Sequence, residues 1–267
     1  LHKDPVLVGP ICDAWYQDWY GGEPHHKSTL KEGLEKLLNT KIRCVDGWDR
    51  ITLRTGDQYV AVQEDGRLCL SDKADLFVKE DWGDGRINLR CERTGKYVTT
   101  ISKGRRQSEE EDGALVAVKD AAFDWFVTAI FHIIPAGNGV VQLTNRFDQP
   151  IQISKDKKLY SALTGEGSSF LMETVVDGFE EVQRLMQCAK TVILALGCHP
   201  MVNAKEEIDR TTLALPPHQE KLAKMICKIK PDAICVLFSN YPYTIHTVQN
   251  TLPAIVWSAT GSQDMGT

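Results

Sequence analysis

Eight cysteines are present without one CxxC pair, and no apolar run is followed by a GxGxxG or P-loop glycine pattern. The first absence argues against zinc ribbons and thioredoxin-like redox motifs, the second against a Rossmann-type nucleotide binder. No apolar run approaches the roughly 18 residues of a spanning helix, so no membrane association is expected. LHKDPVLVG passes straight into a strand pattern, so no secretory leader is expected within these residues. A net charge of −5 with no basic stripe argues against a nucleic-acid partner. Cys44, Cys188, Cys227 and Cys235 fall on apolar strand or helix patterns, as buried free thiols do in a reducing compartment. A cytoplasmic location is therefore expected. The chain begins on Leu1 and stops at GSQDMGT just past an apolar strand, so it is expected to be a fragment of a longer protein.

The run Thr191–Gly197 is continuously apolar, rich in β-branched residues and ends on glycine, the pattern of a buried parallel strand. After it comes a long polar loop, CHPMVNAKEEIDRTTLALPP, carrying the adjacent carboxylates Glu206 and Glu207 and then Asp209-Arg210. Ligands of open α/β sheets gather outside the carboxyl ends of the strands, where this loop begins. Cys198-His199 supplies too few groups for a zinc site and reads as a strand-end thiol beside a loop imidazole. No metal and no cofactor is expected.

The segments EEIDRTTLALPPHQEKL, VLFSNYPYTI and LPAIVWSATGSQDMG resemble the second, α/β-sandwich domain of glycoside hydrolase family 3. Members carry a Glu shortly before an Asp-Arg pair, then Ser/Thr-Leu-x-Leu-Pro and a helix containing Gln. In that register Glu206 takes the place of the acid/base, and Glu207 stands as the weaker candidate. Asp209 and Arg210 are expected to brace the loop through a charge-assisted bond.

Pro5–Gly9 reads as the first buried strand, and an aromatic-rich loop with Trp15, Tyr16, Trp19 and Tyr20 follows it. Indole faces stack on the C–H faces of sugar rings, and they also close cores. The resemblance implies that Trp19, with Tyr20 beside it, forms part of an outer sugar subsite. Thr29–Asn39 is amphipathic through Leu30, Leu34, Leu37 and Leu38, and Lys41–Val45 is a second strand pattern.

At Asp46-Gly47-Trp48 the periodicity changes to short alternating runs broken by Gly, Asp and Asn. ITLRTGDQYVAV at 51 returns as INLRCERTGKYVTT at 87 and more weakly as VQLTNRFDQPIQI at 141, each followed by a second apolar stripe. Three copies of about 40 residues suggest a β-trefoil, similar in its GKYV turn to the fascin type. The Gln-x-Trp of ricin-type trefoils is absent from the copies. Lys103–Asp112 reads as a solvated loop insertion. Gly165-Glu166-Gly167 reads as a hairpin turn.

After Gly178 the α/β pattern resumes: helices over Phe179–Lys190 and Pro216–Ile229, strands over Asp232–Phe238 and Pro253–Trp257, and a short helix within Tyr241–Asn250. The expected fold is an α/β parallel-sheet sandwich, residues 1–47 and 179–267, interrupted by an all-β trefoil insertion at 48–178. Glycoside hydrolysis needs two carboxyl groups, one of them an acid that protonates the leaving oxygen. In the family these are split between an N-terminal (β/α) barrel carrying the nucleophile and the sandwich carrying the acid/base. The resemblance thus implies the C-terminal part of a retaining exo-β-glycosidase, of the β-glucosidase or β-xylosidase kind. Its partners would be a β-linked glycoside or oligosaccharide and the missing barrel, and the fragment alone would be inactive. A carbohydrate-binding or protein-docking module working through the trefoil surface is the competing reading.

Overall fold

The computed structural model describes residues 4–101, 113–207, 209–260 and 263–266. The charged stretch 103–112 lies outside the described residues. In chain order the elements are β1 (Pro5–Val8), α1 (Leu30–Leu38), β2 (Cys44–Val45), β3 (Asp49–Thr55), β4 (Gln58–Val62), β5 (Leu68–Ser71), β6 (Phe77–Asp81) and β7 (Arg86–Cys91). They continue with β8 (Tyr97–Thr100), β9 (Leu115–Lys119), β10 (Phe131–Gly137), β11 (Val140–Asn145), β12 (Ile151–Ile153), β13 (Leu159–Ser161) and β14 (Ser169–Val176). The last are α2 (Gly178–Gln187), β15 (Thr191–Gly197), α3 (Pro217–Ile229), β16 (Ile234–Phe238), α4 (His246–Gln249) and β17 (Ala254–Ser258). Two compact units result: Leu1–Trp48 with Trp82–Asp84 and Asp177–Thr267, and Asp49–Asp81 with Gly85–Val176.

The first unit is built on a parallel sheet of order β17-β16-β15-β1-β2. Because side chains alternate along a strand, its two faces feed two cores. Val6, Val8, Val192, Leu194, Leu196, Cys235 and Leu237 pack with Val182 and Met186 of α2, Leu222 and Ile226 of α3, and Val248 of α4. On the other face Leu7, Ile193, Ala195, Val236 and Phe238 meet Leu30, Leu34 and Leu38 of α1. Leu37 is left 73% exposed, so the buried stripe of α1 is narrower than its leucine content suggests. Thr29 and Glu32 close a reciprocal capping box at the start of α1, and Asn39 in the left-handed region ends it. Strand β2 is shorter than the strand pattern Lys41–Val45, since the Ile42 amide donates to Glu35 Oε1 at 2.9 Å.

The second unit is a closed barrel. Antiparallel pairings run β3–β14–β11–β10–β7–β6 and back to β3, a ring of six strands without a free edge. Three further two-stranded pairings, β4–β5, β8–β9 and β12–β13, accompany it. Ile51, Leu53, Phe77, Leu89, Phe131, Leu143 and Phe170 share one core. Burial of each such side chain contributes about 1.5–3 kcal/mol. Glu80, 1% exposed, is satisfied by the Tyr97 hydroxyl and by Arg90 Nε at 3.1 Å. Asp75 is clasped by Arg93 through two bonds of 2.7 Å, which hold its carboxyl below the usual range.

The chain leaves the first unit after Trp48, rejoins it briefly at Trp82–Asp84 and returns to it at Asp177, and Gly47 and Gly178 at the two ends are in backbone contact. A Cβ at Gly178 would lie 2.2 Å from the Gly47 carbonyl oxygen. The Asp177 carboxylate beside it accepts from the Phe179 and Glu180 amides at 2.8 and 3.0 Å, capping α2. Helix propensity favours alanine over glycine by up to about 1 kcal/mol. The contact opposes that preference, so Gly178→Ala is expected to lower unfolding stability by about 1–3 kcal/mol. Urea denaturation reads the sign, and a stability equal to or above that of the parent chain would contradict the account.

Candidate functional site

The sheet reverses its winding between β1 and β15: from β1 the chain proceeds outward to β2, and from β15 it proceeds the other way to β16 and β17. In such sheets the crevice outside the carboxyl ends of the two diverging strands is the place for a ligand. The loops after β1 and after β15 are the two singled out by their residues, and both belong to the first unit.

The loop after β15 is anchored at its root by Gln219, which is fully buried on α3. Its Oε1 accepts from the Gly197 amide at 2.9 Å and its Nε2 donates to the Gly197 carbonyl at 2.8 Å. The His199 amide donates to Asn203 Oδ1 at 2.9 Å, and Asn203 Nδ2 donates to the Trp82 carbonyl at 2.9 Å. Further on, Thr211 Oγ1 donates to Asp84 Oδ1 at 3.0 Å, and Thr244 donates its amide to the Leu213 carbonyl at 2.8 Å. Between these ties lies Lys205-Glu206-Glu207. Lys205, buried at 6% exposure, pairs with Glu207 Oε2 at 3.1 Å. Glu206 is exposed, and Tyr20 donates its hydroxyl hydrogen to Glu206 Oε2.

Tyr20 comes from the loop after β1. It sits in a short 3-10 turn, Trp19–Gly21, whose preceding Asp18 accepts from the Tyr20 amide at 2.8 Å. Gln17 Nε2 donates to the Gly22 carbonyl at 2.9 Å across the same turn. The bond to the Glu206 carboxylate pushes the Tyr20 phenol above its ordinary value, because losing the proton would set two anions side by side. Trp19 is 38% exposed and Tyr20 71%, so both present surface. Trp15 instead lies under Lys27 Nζ, 4.6 Å from its ring centre. The structure therefore brings together Glu206 and Tyr20, from distant parts of the sequence, and turns Glu207 toward Lys205.

Arg210 donates to the Pro242 carbonyl at 3.2 Å and stacks over Tyr243 and Tyr241, at 4.5 and 5.1 Å. Asp209 is exposed. Among the described residues no group of three or more His, Cys, Asp or Glu is placed to hold a metal ion. No helix among them is long and apolar enough to cross a membrane.

Beneath the loop runs a set of rings that sequence reasoning passed over. Tyr16 stacks on His199 at 4.1 Å, and Trp82 meets His199, Tyr16 and Trp48 edge-on at 5.3 Å. Trp48 leans on His218 at 4.6 Å, and His218 on Phe179 at 4.7 Å. His199 is a residue of the loop whose imidazole is packed in the core, 2% exposed. Its Nδ1 accepts from the Met201 amide at 3.1 Å, which leaves the hydrogen on Nε2. Burial pushes its pKa down to about 3. The unfolded chain takes up this proton near the ordinary value of about 6.5, the folded one far lower. The stability linked to His199 is thus complete above about pH 6.5 and is lost as pH falls toward 3, by roughly 1.4 kcal/mol per unit. Thermal or urea unfolding of His199→Phe between pH 7 and 4 should start lower, because the Met201 amide loses its acceptor, and decline less steeply. Equal slopes in the two proteins would contradict the assignment.

Residues 3–267 match the glycosyl hydrolase family 3 C-terminal domain. The selenomethionine-labelled β-glucosidase of Kluyveromyces marxianus superposes with a TM-score of 0.51 at 12% identity, over 100% of this chain and 37% of that one. The same enzyme in complex with glucose gives 0.50 at 14% identity with the same coverage. A β-glucosidase from Streptomyces venezuelae in complex with D-glucose gives 0.48 at 13% identity, over 99% of this chain and 32% of that one. The chain thus spans 37% of the length of the Kluyveromyces enzyme. No curated protein matches it by sequence. With the match extending over residues 3–267, the chain belongs to the glycosyl hydrolase family 3 C-terminal domain family.

Proposed function

We propose that this chain is the sandwich portion of a retaining exo-β-glycosidase and that Glu206 is its acid/base. The observation that carries the reading is the meeting of Glu206 with Tyr20 outside the carboxyl ends of β1 and β15, where the winding of the sheet reverses. An acid/base must reach the glycosidic oxygen, and Glu206 is exposed while its neighbours are occupied. Lys205 and Glu207 bond to each other across it, while Glu206 meets the Tyr20 hydroxyl of the loop after β1. In the first step the Glu206 carboxylic acid gives its proton to the leaving oxygen. In the second its carboxylate takes a proton from the incoming water. Trp19 and Tyr20 supply apolar faces and a hydroxyl for the outer sugar.

The nucleophilic carboxylate, which retaining enzymes place only about 5–5.5 Å from the acid/base, belongs on a preceding (β/α) barrel. Arg210 keeps the loop in place through Pro242 and the two tyrosines. The inserted six-stranded barrel is read as a β-trefoil of the fascin type. In support, Leu53, Leu89 and Leu143, equivalent in the three sequence copies, are each 2% exposed within one core.

The 267-residue chain by itself should not hydrolyse aryl β-glucosides or β-xylosides, and turnover near that of a barrel-containing protein would overturn the reading. In the protein that carries the barrel, Glu206→Gln should slow alkyl glycosides by about 10²–10⁴-fold and activated aryl glycosides much less in the first step. Azide should restore part of the second step. Glu207→Gln should cost little. Equal, small losses for both variants on every substrate would remove Glu206 from the role.

A further inference from the structure

The turn between β6 and β7 carries Trp82-Gly83-Asp84, residues that belong to the first unit. Gly83, Asp84 and Gly85 follow one another at positive φ, +83°, +51° and +72°, a succession suited to glycine and to a short polar residue. Both loops of the candidate site rest on this turn. Trp82, 1% exposed, meets Tyr16 of the loop after β1 edge-on at 5.3 Å, and His199 of the loop after β15 at the same separation. The Trp82 carbonyl accepts from Asn203 Nδ2 at 2.9 Å, and Asp84 Oδ1 accepts from Thr211 Oγ1 at 3.0 Å.

The fit between turn and loop is close. A Cβ added at Gly83 would stand 3.4 Å from Pro216 and Pro217, where the loop gives way to α3. A cavity of about 30 Å³ remains, lined by Trp82, Asp84, Asn203, Arg210 and Tyr243 among others, with room for no more than a water molecule or two. The ties at Asn203 and Thr211 bracket Glu206, and Tyr16 lies four residues before Tyr20. Glu206 and Tyr20 are themselves exposed. Their meeting therefore depends on where the two loops are held, not on packing around the pair.

We propose that the Trp82–Asp84 turn is the positioning element of the candidate site, setting the Glu206 loop against the Tyr20 loop, with Asp84 acting on Glu206 through Thr211. The proposal rests on the reading of Glu206 as the acid/base. A proton donor works within about 2.6–3.2 Å of the atom it serves, and a misplacement of about 1 Å costs on the order of 10²-fold. The turn thus acts on the chemistry without touching the glycoside.

The test reads the Glu206–Tyr20 bond in the 267-residue chain at neutral pH. Tyrosine labelled with ¹³C at Cζ reports the hydrogen bonding of each phenol. Tyr20→Phe identifies the Tyr20 resonance, and Glu206→Ala gives its position without the bond. Thr211→Val is expected to move the resonance toward that position. Asp84→Gly, which removes the acceptor without straining a left-handed residue, should do the same. Thr211→Ser keeps the hydroxyl, and Asp84→Asn keeps an acceptor and tolerates positive φ, so both should hold the parent position. In the protein that carries the barrel, Thr211→Val should lower kcat on alkyl glycosides by about tenfold or more with little change in KM, and Thr211→Ser should recover most of it. The proposal is overturned if the Tyr20 resonance keeps its parent position in either Thr211→Val or Asp84→Gly. Equal, small kinetic losses on every substrate for Glu206→Gln overturn the acid/base reading instead, and the spectra of the chain tell the two failures apart.

Discussion

The pairing of β1 with β15 governs the rest of the first unit. Pro5 through Val8 lie in parallel register with Thr191 through Leu194, so the centre of the sheet is made of strands separated by the whole inserted barrel. Closing so long a loop costs entropy that grows only slowly with length, and the two faces of apolar side chains offset it. The geometric requirement is stricter than the energetic one. The two ends of the long insertion must lie close together, and the backbone contact of Gly47 with Gly178 brings them there.

The parallel strands were legible because strands buried on both faces are written as unbroken apolar runs. Thr191–Gly197 and Ile234–Phe238 are such runs, and both are strands in the central part of the sheet. The helices were legible through their leucine and isoleucine spacing, with end positions displaced by a residue or more where capping by Thr29 or Asp177 decided them. Lys41–Val45 reads as one strand, yet a side chain, Glu35, takes the Ile42 amide, and no periodicity reports such a competition. The ring stack was illegible for a different reason. Trp82 stands in a stretch of β alternation and packs with Tyr16, Trp48 and His199, residues that no local pattern connects.

At the candidate site, the loop and its carboxylates could be found from residue types and the Asp-Arg register. What separates Glu206 from Glu207 could not, because it depends on which partner each finds, Tyr20 for the one and Lys205 for the other. Lys205 is buried and needs a counter-charge, and Glu207 supplies it. The electrostatic demand of one buried ammonium thereby decides which carboxylate is tied down, although both are exposed. Tyr20 was legible as an aromatic near a glycine turn. Its bond to Glu206 belongs to the tertiary structure alone.

Gln219 carries a consequence of its own. Its side-chain amide meets the Gly197 amide and carbonyl as a neighbouring strand would, oxygen to hydrogen and hydrogen to oxygen. Strand β15 is in effect given one more rung of ladder by a helix, at the place where the sheet gives way to the loop. Only a primary amide of this reach supplies both polarities at once: a carboxylate would face the Gly197 carbonyl with no hydrogen to give, and asparagine is one methylene short. The glycine and the glutamine are therefore a matched pair written across a long stretch of sequence. The polar loop between them is held to the sheet by an imitation of the backbone itself.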